Sequence, residues 1–265
     1  MDIRIEVVDP AKAESWLNLN KNNRKLRDGV VEQYAQDMKA GRWTNCPTPI
    51  SFYADGDVAD GQHRLWAIVE SSTTQTFPVA RGLDRADGLN IDTGLNRSVV
   101  DNSRISGVDT GLSNTLVAVA RATQHGVASV GRMSNALKVE CVDLHRDACT
   151  WAVANGPKGK NLRNAVVLAA ISRAWYWEED KSKLRRFCDV FDSGFQQGDE
   201  ESAAVAMRNY MLLKAGLASS SAMWTDTFLK VQNAINYFMR SKKLTVIKGV
   251  KEEPYPLKKK RRLKP

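Results

Sequence analysis

The chain of 265 residues is 43% hydrophobic and 26% charged, with a formal net charge of +9, an ordinary globular composition rather than a disordered or fibrous one. That length admits one large domain or two modest ones, each with its own core. No apolar run approaches the roughly 18–20 residues that span a bilayer, and the N-terminus alternates charged and apolar residues instead of building a signal core, so no membrane partner and a cytoplasmic location are expected.

In the first hundred residues strand and helix signals alternate. Ile3, Ile5 and Val7 alternate with charged residues, which predicts a strand. Val31, Tyr34, Ala35 and Met38 form a helical stripe between Asp28 and Ala40, with Asp28 expected as N-cap and Gly41 as the C-terminal stop. A strand over residues 49–53, a turn at Asp55-Gly56 and a return at Val58-Ala59 follow. Next comes a helix from about Gly61, with Leu65, Ile68 and Val69 inward, and then a strand from Thr76 to Arg81. Between Asp101 and Ser113 the composition turns to Ser, Asn, Asp and Gly, the mark of a connection. Beyond it strand signals nearly vanish. Helical stripes run through Leu184, Phe187, Cys188 and Phe191, through Met207, Tyr210 and Met211, and through Trp224, Phe228, Val231, Ile235 and Met239. The expected fold class is α+β: an α/β domain over residues 1–105, an all-α domain of five or six helices over 106–250, and a basic disordered tail over 251–265. Cys46, Cys141, Cys149 and Cys188 are scattered without a CxxC pair, so free thiols are expected.

The densest chemistry lies at Asp60-Gly61-Gln62-His63-Arg64, on a strand-to-helix junction. A glycine there lets the backbone approach a ligand, and the first helical turn offers N–H groups and the positive dipole end to an anion. Arg64 can fork two hydrogen bonds onto phosphate, His63 can donate or carry a proton, and Asp60 can hold a hydroxyl or, through water, Mg²⁺. The same residues also read as an N-capping Asp, a surface His and an ion-paired Arg; spacing alone does not choose.

The run Asp60-Gly61-Gln62-His63-Arg64-Leu65-Trp66-Ala67 resembles the DGxHRxxA signature of the ParB/sulfiredoxin superfamily. Asn20-Lys21-Asn22-Asn23-Arg24 with Pro49-Ile50 resembles that family's approach to the same pocket. The stretch from Asn90 to Ser98 resembles an element of phage-borne and plasmid-borne relatives. The resemblance covers roughly residues 15–105 and implies a nucleotide- or phosphate-binding protein acting on or at DNA, with phosphoryl transfer or phosphodiester cleavage as its reaction. It implies Asp60 and His63 as catalytic residues. Gly61, Gln62, His63, Arg64, Arg24, Asp92 and Arg97 would be the binding residues, with a nucleoside triphosphate and Mg²⁺ (on Asp60) as cofactors. A non-catalytic DNA-binding regulator whose pocket senses a ligand is the alternative. CTP-hydrolysing members carry GERR, so Gln62 stands where an acid is expected; sulfiredoxin carries a cysteine there, which excludes that activity. The free-serine kinase branch carries DGHHR, with an upstream catalytic acid for which Asp28 and Glu32 are the candidates.

Charge points to where a polyanion would bind. Residues 1–110 balance to −3, residues 111–257 to +6, and residues 258–265 carry six cations and no acid. Lys258, Lys259, Lys260, Arg261 and Arg262 in the tail and Lys158 and Lys160 in a basic loop are therefore the expected DNA contacts, with a nucleoid-associated place in a bacterial host cell. His125, His145 and the cluster Trp175-Tyr176-Trp177 are expected to be structural. An oligomer is compatible with the sequence.

Overall fold

The computed structural model describes residues 1–265 other than 21, 22, 24, 45, 87–97, 102–110, 127–132, 216–219 and 259–265. The chain divides into two compact units, Met1–Arg97 with Gly131–Leu137, and Ser98–Val130 with Lys138–Lys264. The division falls at residue 98, and a short segment from beyond it groups with the first unit.

Among the described residues the first unit is a four-stranded mixed sheet with three helices. Its strands are β1 (Asp2–Val8), β2 (Ile50–Tyr53), β3 (Val58–Asp60) and β4 (Gln75–Leu83), in the order β1-β4-β2-β3. β1 runs antiparallel to β4, from Asp2 opposite Arg81 to Val8 opposite Gln75. β2 pairs antiparallel with β3 and parallel with β4: the tight β2–β3 connection reverses the chain and the helical connection from β3 to β4 reverses it again, so β4 runs with β2. Helices α1 (Pro10–Leu17), α2 (Asp28–Lys39) and α3 (Gln62–Ser71) pack on one another, α3 against both others. Asp9 and Pro10 start α1 as their chemistry dictates: the Asp9 carboxylate accepts from Lys12 N at 2.7 Å, and the proline fills a position that needs no N–H. At α2 the cap position is Arg27, with no side-chain cap. Asp28 is the first helical residue, where its charge meets the positive dipole end. Gly41 follows the helix at φ +67°, as a stop residue should.

The core of this unit gathers Val31, Ala35, Ile50, Phe52, Leu65, Ile68, Phe77 and Val79. Which face of β1 joins it is the reverse of what the alternation suggests. Ile3, Ile5 and Val7 are 55%, 71% and 60% exposed. The inward row instead carries Glu6, which accepts from Arg81 and from Lys12, and Arg81 in turn lies against the rings of Trp16 and Phe52. The guanidinium–carboxylate pair satisfies its own charges and covers aromatic faces, so a polar row can line this edge of the core.

The second unit is helical: α4 (Asn114–His125), α5 (Asn135–Asn155, its first turn grouped with the other unit), α6 (Ala165–Trp175), α7 (Lys181–Ser193), α8 (Ser202–Leu213) and α9 (Ser221–Met239). Ser113, Asn164, Asp180 and Ser220 cap their helices through side-chain oxygens. α6 is buried from Val167 to Ala174 and packs against α4 and α9, as a helix apolar on all sides must. The stripe residues Leu184, Phe187, Cys188 and Phe191, and Phe228, Val231 and Ile235, are all in the core.

The expected tail over 251–265 requires correction at its start. Tyr255 is 2% exposed and Leu257 6%. Tyr255 N–H donates to Gln232 at 2.8 Å and its hydroxyl to Glu178. Arg173 pairs with Glu253 at 3.1 Å while also donating to the Thr123 carbonyl at the end of α4. One aromatic and one aliphatic side chain give this segment enough apolar area to dock. Among the described residues no helix is long and apolar enough to cross a membrane. All four cysteines are free. Burial pushes the Cys141 thiol up to about 12 and raises Cys149 and Cys188, which makes them poor nucleophiles.

Candidate functional site

β3 ends at Asp60, and the chain turns into α3 through Gly61 at φ +109° and ψ 0°. Only glycine suits this position: an added Cβ would stand 3.1 Å from Ile50 Cγ1 and 3.3 Å from its Cα, in a backbone conformation that side chains avoid. The Gly61 carbonyl accepts from Arg64 N at 2.9 Å and Leu65 N at 3.0 Å, which starts the helix. Among the described residues no side chain caps it. The positive end of the α3 dipole therefore sits at Gln62 and His63.

The segment ahead of α2 lies against this junction. Asn20 Nδ2 donates to Gln62 Oε1 at 3.1 Å, Asn23 Nδ2 to the Val58 carbonyl at 3.1 Å, and Arg27 N to His63 Nε2 at 3.1 Å. Gln62 and His63 are 4% and 7% exposed. His63 is thus a buried residue whose Nε2 acts as an acceptor, not a surface side chain. Asn20 Oδ1 is buried with no hydrogen-bond partner among the described residues, an acceptor that a ligand hydroxyl or amino group could satisfy.

Arg64 is placed otherwise than the phosphate reading expects. Its guanidinium donates to the Thr48 carbonyl, to the Pro49 carbonyl at 3.0 Å and to Asp60 Oδ2 at 2.9 Å, with Cys46 Sγ at 3.9 Å. At 7% exposure it is a staple between the approach to β2 and the end of β3. Its fork holds the walls of the site and leaves little for a ligand. Asp60, its carboxylate on that guanidinium, does not cap α3. The ion-paired Arg of the plainer reading is present, but the capping Asp and the surface His are not.

Among the described residues no group of three His, Cys, Asp or Glu side chains could hold a metal, and Asp60 already carries a cation. Arg24, Asp92 and Arg97 lie outside the described residues, as do Lys259, Lys260, Arg261 and Arg262.

In the helical unit, Lys158 and Lys160 stand exposed on a loop whose shape is fixed by Asp192, which accepts from Lys158 N at 3.0 Å and Gly159 N at 2.8 Å. Lys258 Nζ lies 4.3 Å from the centre of the Trp177 ring, and Trp177 Nε1 donates to the Pro256 carbonyl at 2.9 Å. Tyr176 bonds His145, which Gln124 holds from the other side, so these two rings tie helices of this unit together. The sequence pointed to the run from Asn20 as an approach to the pocket but gave no role to Arg27 or to the carbonyls of Thr48 and Pro49; main-chain groups leave no mark in a sequence. Compared with known proteins, the chain matches no family model, no curated protein and no solved structure.

Proposed function

We propose that the protein binds a nucleotide or other phosphate compound at the β3–α3 junction and works at DNA, with the pocket sensing its ligand rather than turning it over. The observation that carries this reading is the start of α3: a glycine turn at φ +109° and no side-chain cap among the described residues. That is the form of a main-chain phosphate site. The resemblance of Asp60-Gly61-Gln62-His63-Arg64 to the ParB/sulfiredoxin signature points to the same ligand class. Asn20 Oδ1, buried without a partner among the described residues, supports a ligand with a sugar hydroxyl or base amino group beside its phosphates. Sensing is preferred to catalysis because the Arg64 fork and the His63 Nε2 already serve the protein's own main chain. Association with DNA rests on the +9 charge, the cationic tail and the exposed pair Lys158 and Lys160.

Gln62→Glu tests the site without dismantling it. A carboxylate in the first turn suits the helix dipole and keeps an acceptor for Asn20, yet repels an anion. Titration calorimetry with each of the four nucleoside triphosphates and with inorganic triphosphate, with and without duplex DNA, should show binding to the wild type. The variant should bind about tenfold or more weakly, the equivalent of one charged hydrogen bond, with circular dichroism checking that it is folded at the temperature of the titration. Equal affinity in the two proteins would place the phosphate elsewhere. Release of phosphate by the wild type would replace the sensor with an enzyme.

A further inference from the structure

Among the described residues β1 ends the sheet, pairing with β4 alone in an unbroken run from Asp2 to Val8. An edge of this kind presents unpaired N–H and C=O groups to any strand that fits, and proteins ordinarily blunt it with a bulge, a proline or inward charge. Here the strand carries one inward charge, Glu6, already neutralised by Arg81 and Lys12, and its outer face exposes a row of Ile3, Ile5 and Val7, 55%, 71% and 60% accessible. One exposed aliphatic side chain needs no explanation; three in register on an open edge do.

The sequence of the strand says what fits it. Read about Ile5, the run Ile3-Arg4-Ile5-Glu6-Val7 is its own complement. In an antiparallel pair centred there, Ile5 faces Ile5 of a second copy and Ile3 faces its Val7. On the other face, Arg4 and Glu6 of each copy meet Glu6 and Arg4 of the other. Centring the pair on Arg4 or on Glu6 sets like charges opposite each other, and a shift by one residue sets aliphatic side chains against charged ones. Parallel pairing stacks like on like. One register satisfies both faces.

We propose that two copies of this chain join through β1 in that register, forming a two-fold dimer whose sheets are continuous. Arg4 is available for the exchange: its present partner is Asp2 at 2.7 Å, and both side chains are mostly exposed. Glu6 accepts from Arg81 and Lys12, and a carboxylate has lone pairs for one donor more. About six main-chain hydrogen bonds and two cross-strand ion pairs would join the copies. That places the contact among small interfaces, so the dimer forms reversibly with concentration.

Sedimentation of the full chain from low to high concentration tests the proposal. The wild type should pass reversibly from monomer to dimer mass. Ile5→Lys, which sets two ammonium groups against each other on the two-fold axis, should weaken dimerisation by about tenfold or more. Exposure of Ile5 leaves the fold indifferent to this change, and circular dichroism checks that. Register is read separately by mild oxidation: Ile5→Cys should cross-link to itself, since facing residues of an antiparallel pair lie within disulfide reach, and Arg4→Cys should not. A wild type monomeric at every concentration, as expected if the edge serves a strand of a different protein, would overturn the proposal. So would an Ile5→Lys variant that dimerises like the wild type, or cross-linking of Arg4→Cys as readily as Ile5→Cys.

Discussion

Arg64 shows how one side chain can carry a motif's identity and still serve the scaffold. Buried at the foot of α3, it holds the Thr48 and Pro49 carbonyls and Asp60 at once. Removing it strands acceptors that water reaches poorly, at about 1–3 kcal/mol for each group left unpaired. Arg64→Ala should therefore lower the unfolding free energy by about 2–4 kcal/mol in a denaturant titration. Arg64→Lys should recover only part of it, because an ammonium cannot reproduce the fork. A variant that unfolds like the wild type and loses only ligand affinity would show that the guanidinium faces the ligand after all. Gly61, three residues earlier, bears the complementary constraint: its backbone shape and the close approach of Ile50 are what let the helix begin where it does.

At the scale of elements, the docked segment around Tyr255 divides the C-terminus into two functions. Truncation after Lys258 removes five cations and should leave thermal unfolding unchanged. On duplex DNA it should reduce the slope of log affinity against log salt by about 2–4 units, at about 0.9 per phosphate contact. Truncation after Glu252 also removes Tyr255 from beside Glu178, Gln232 and Arg173, and should cost the helical unit about 3–5 kcal/mol, as loss of a buried aromatic does. Fluorescence anisotropy across a salt series and chemical denaturation read the two effects apart; an unchanged slope in the shorter truncation would remove the tail from DNA binding. The same segment marks how far the sequence could be read. Helical stripes such as Leu184 to Phe191 were legible because period and burial coincide along one element. Tyr255 and Leu257, set among charges and prolines, have no period to reveal them. For β1 the period was visible but its inward face was not, because Glu6 is brought inside by Arg81, 75 residues away. At the site, the glycine turn and the helix start were legible from local chemistry, whereas the use of Arg64 depended on carbonyls fixed by the fold.

Across the whole molecule, paired carboxylates set the response to acid. The Arg81 hydrogen bond holds Glu6 below the ordinary glutamate range against the opposing effect of burial, with Lys12 assisting. Arg186 does the same for Glu201. A carboxylate depressed in the folded state contributes stability that is present above its unfolded value of about 4.3 and lost as pH falls through the lower folded value. Melting temperature should accordingly hold from neutral pH to about 5 and decline below about 4. Glu6→Gln, which forgoes this contribution at every pH, should lie lower at neutrality and decline less in acid; an acid limb identical to that of the wild type would rule Glu6 out as its source. The pairing of β1 with β4 also has a consequence in time. Asp2 meets Arg81, so during synthesis the first strand emerges long before its partner exists. At about 5–20 residues per second the wait lasts roughly 4–16 s. Throughout it the self-complementary stretch around Ile5 has both edges open, and neighbouring nascent chains on one message offer it a mate before its own sheet does.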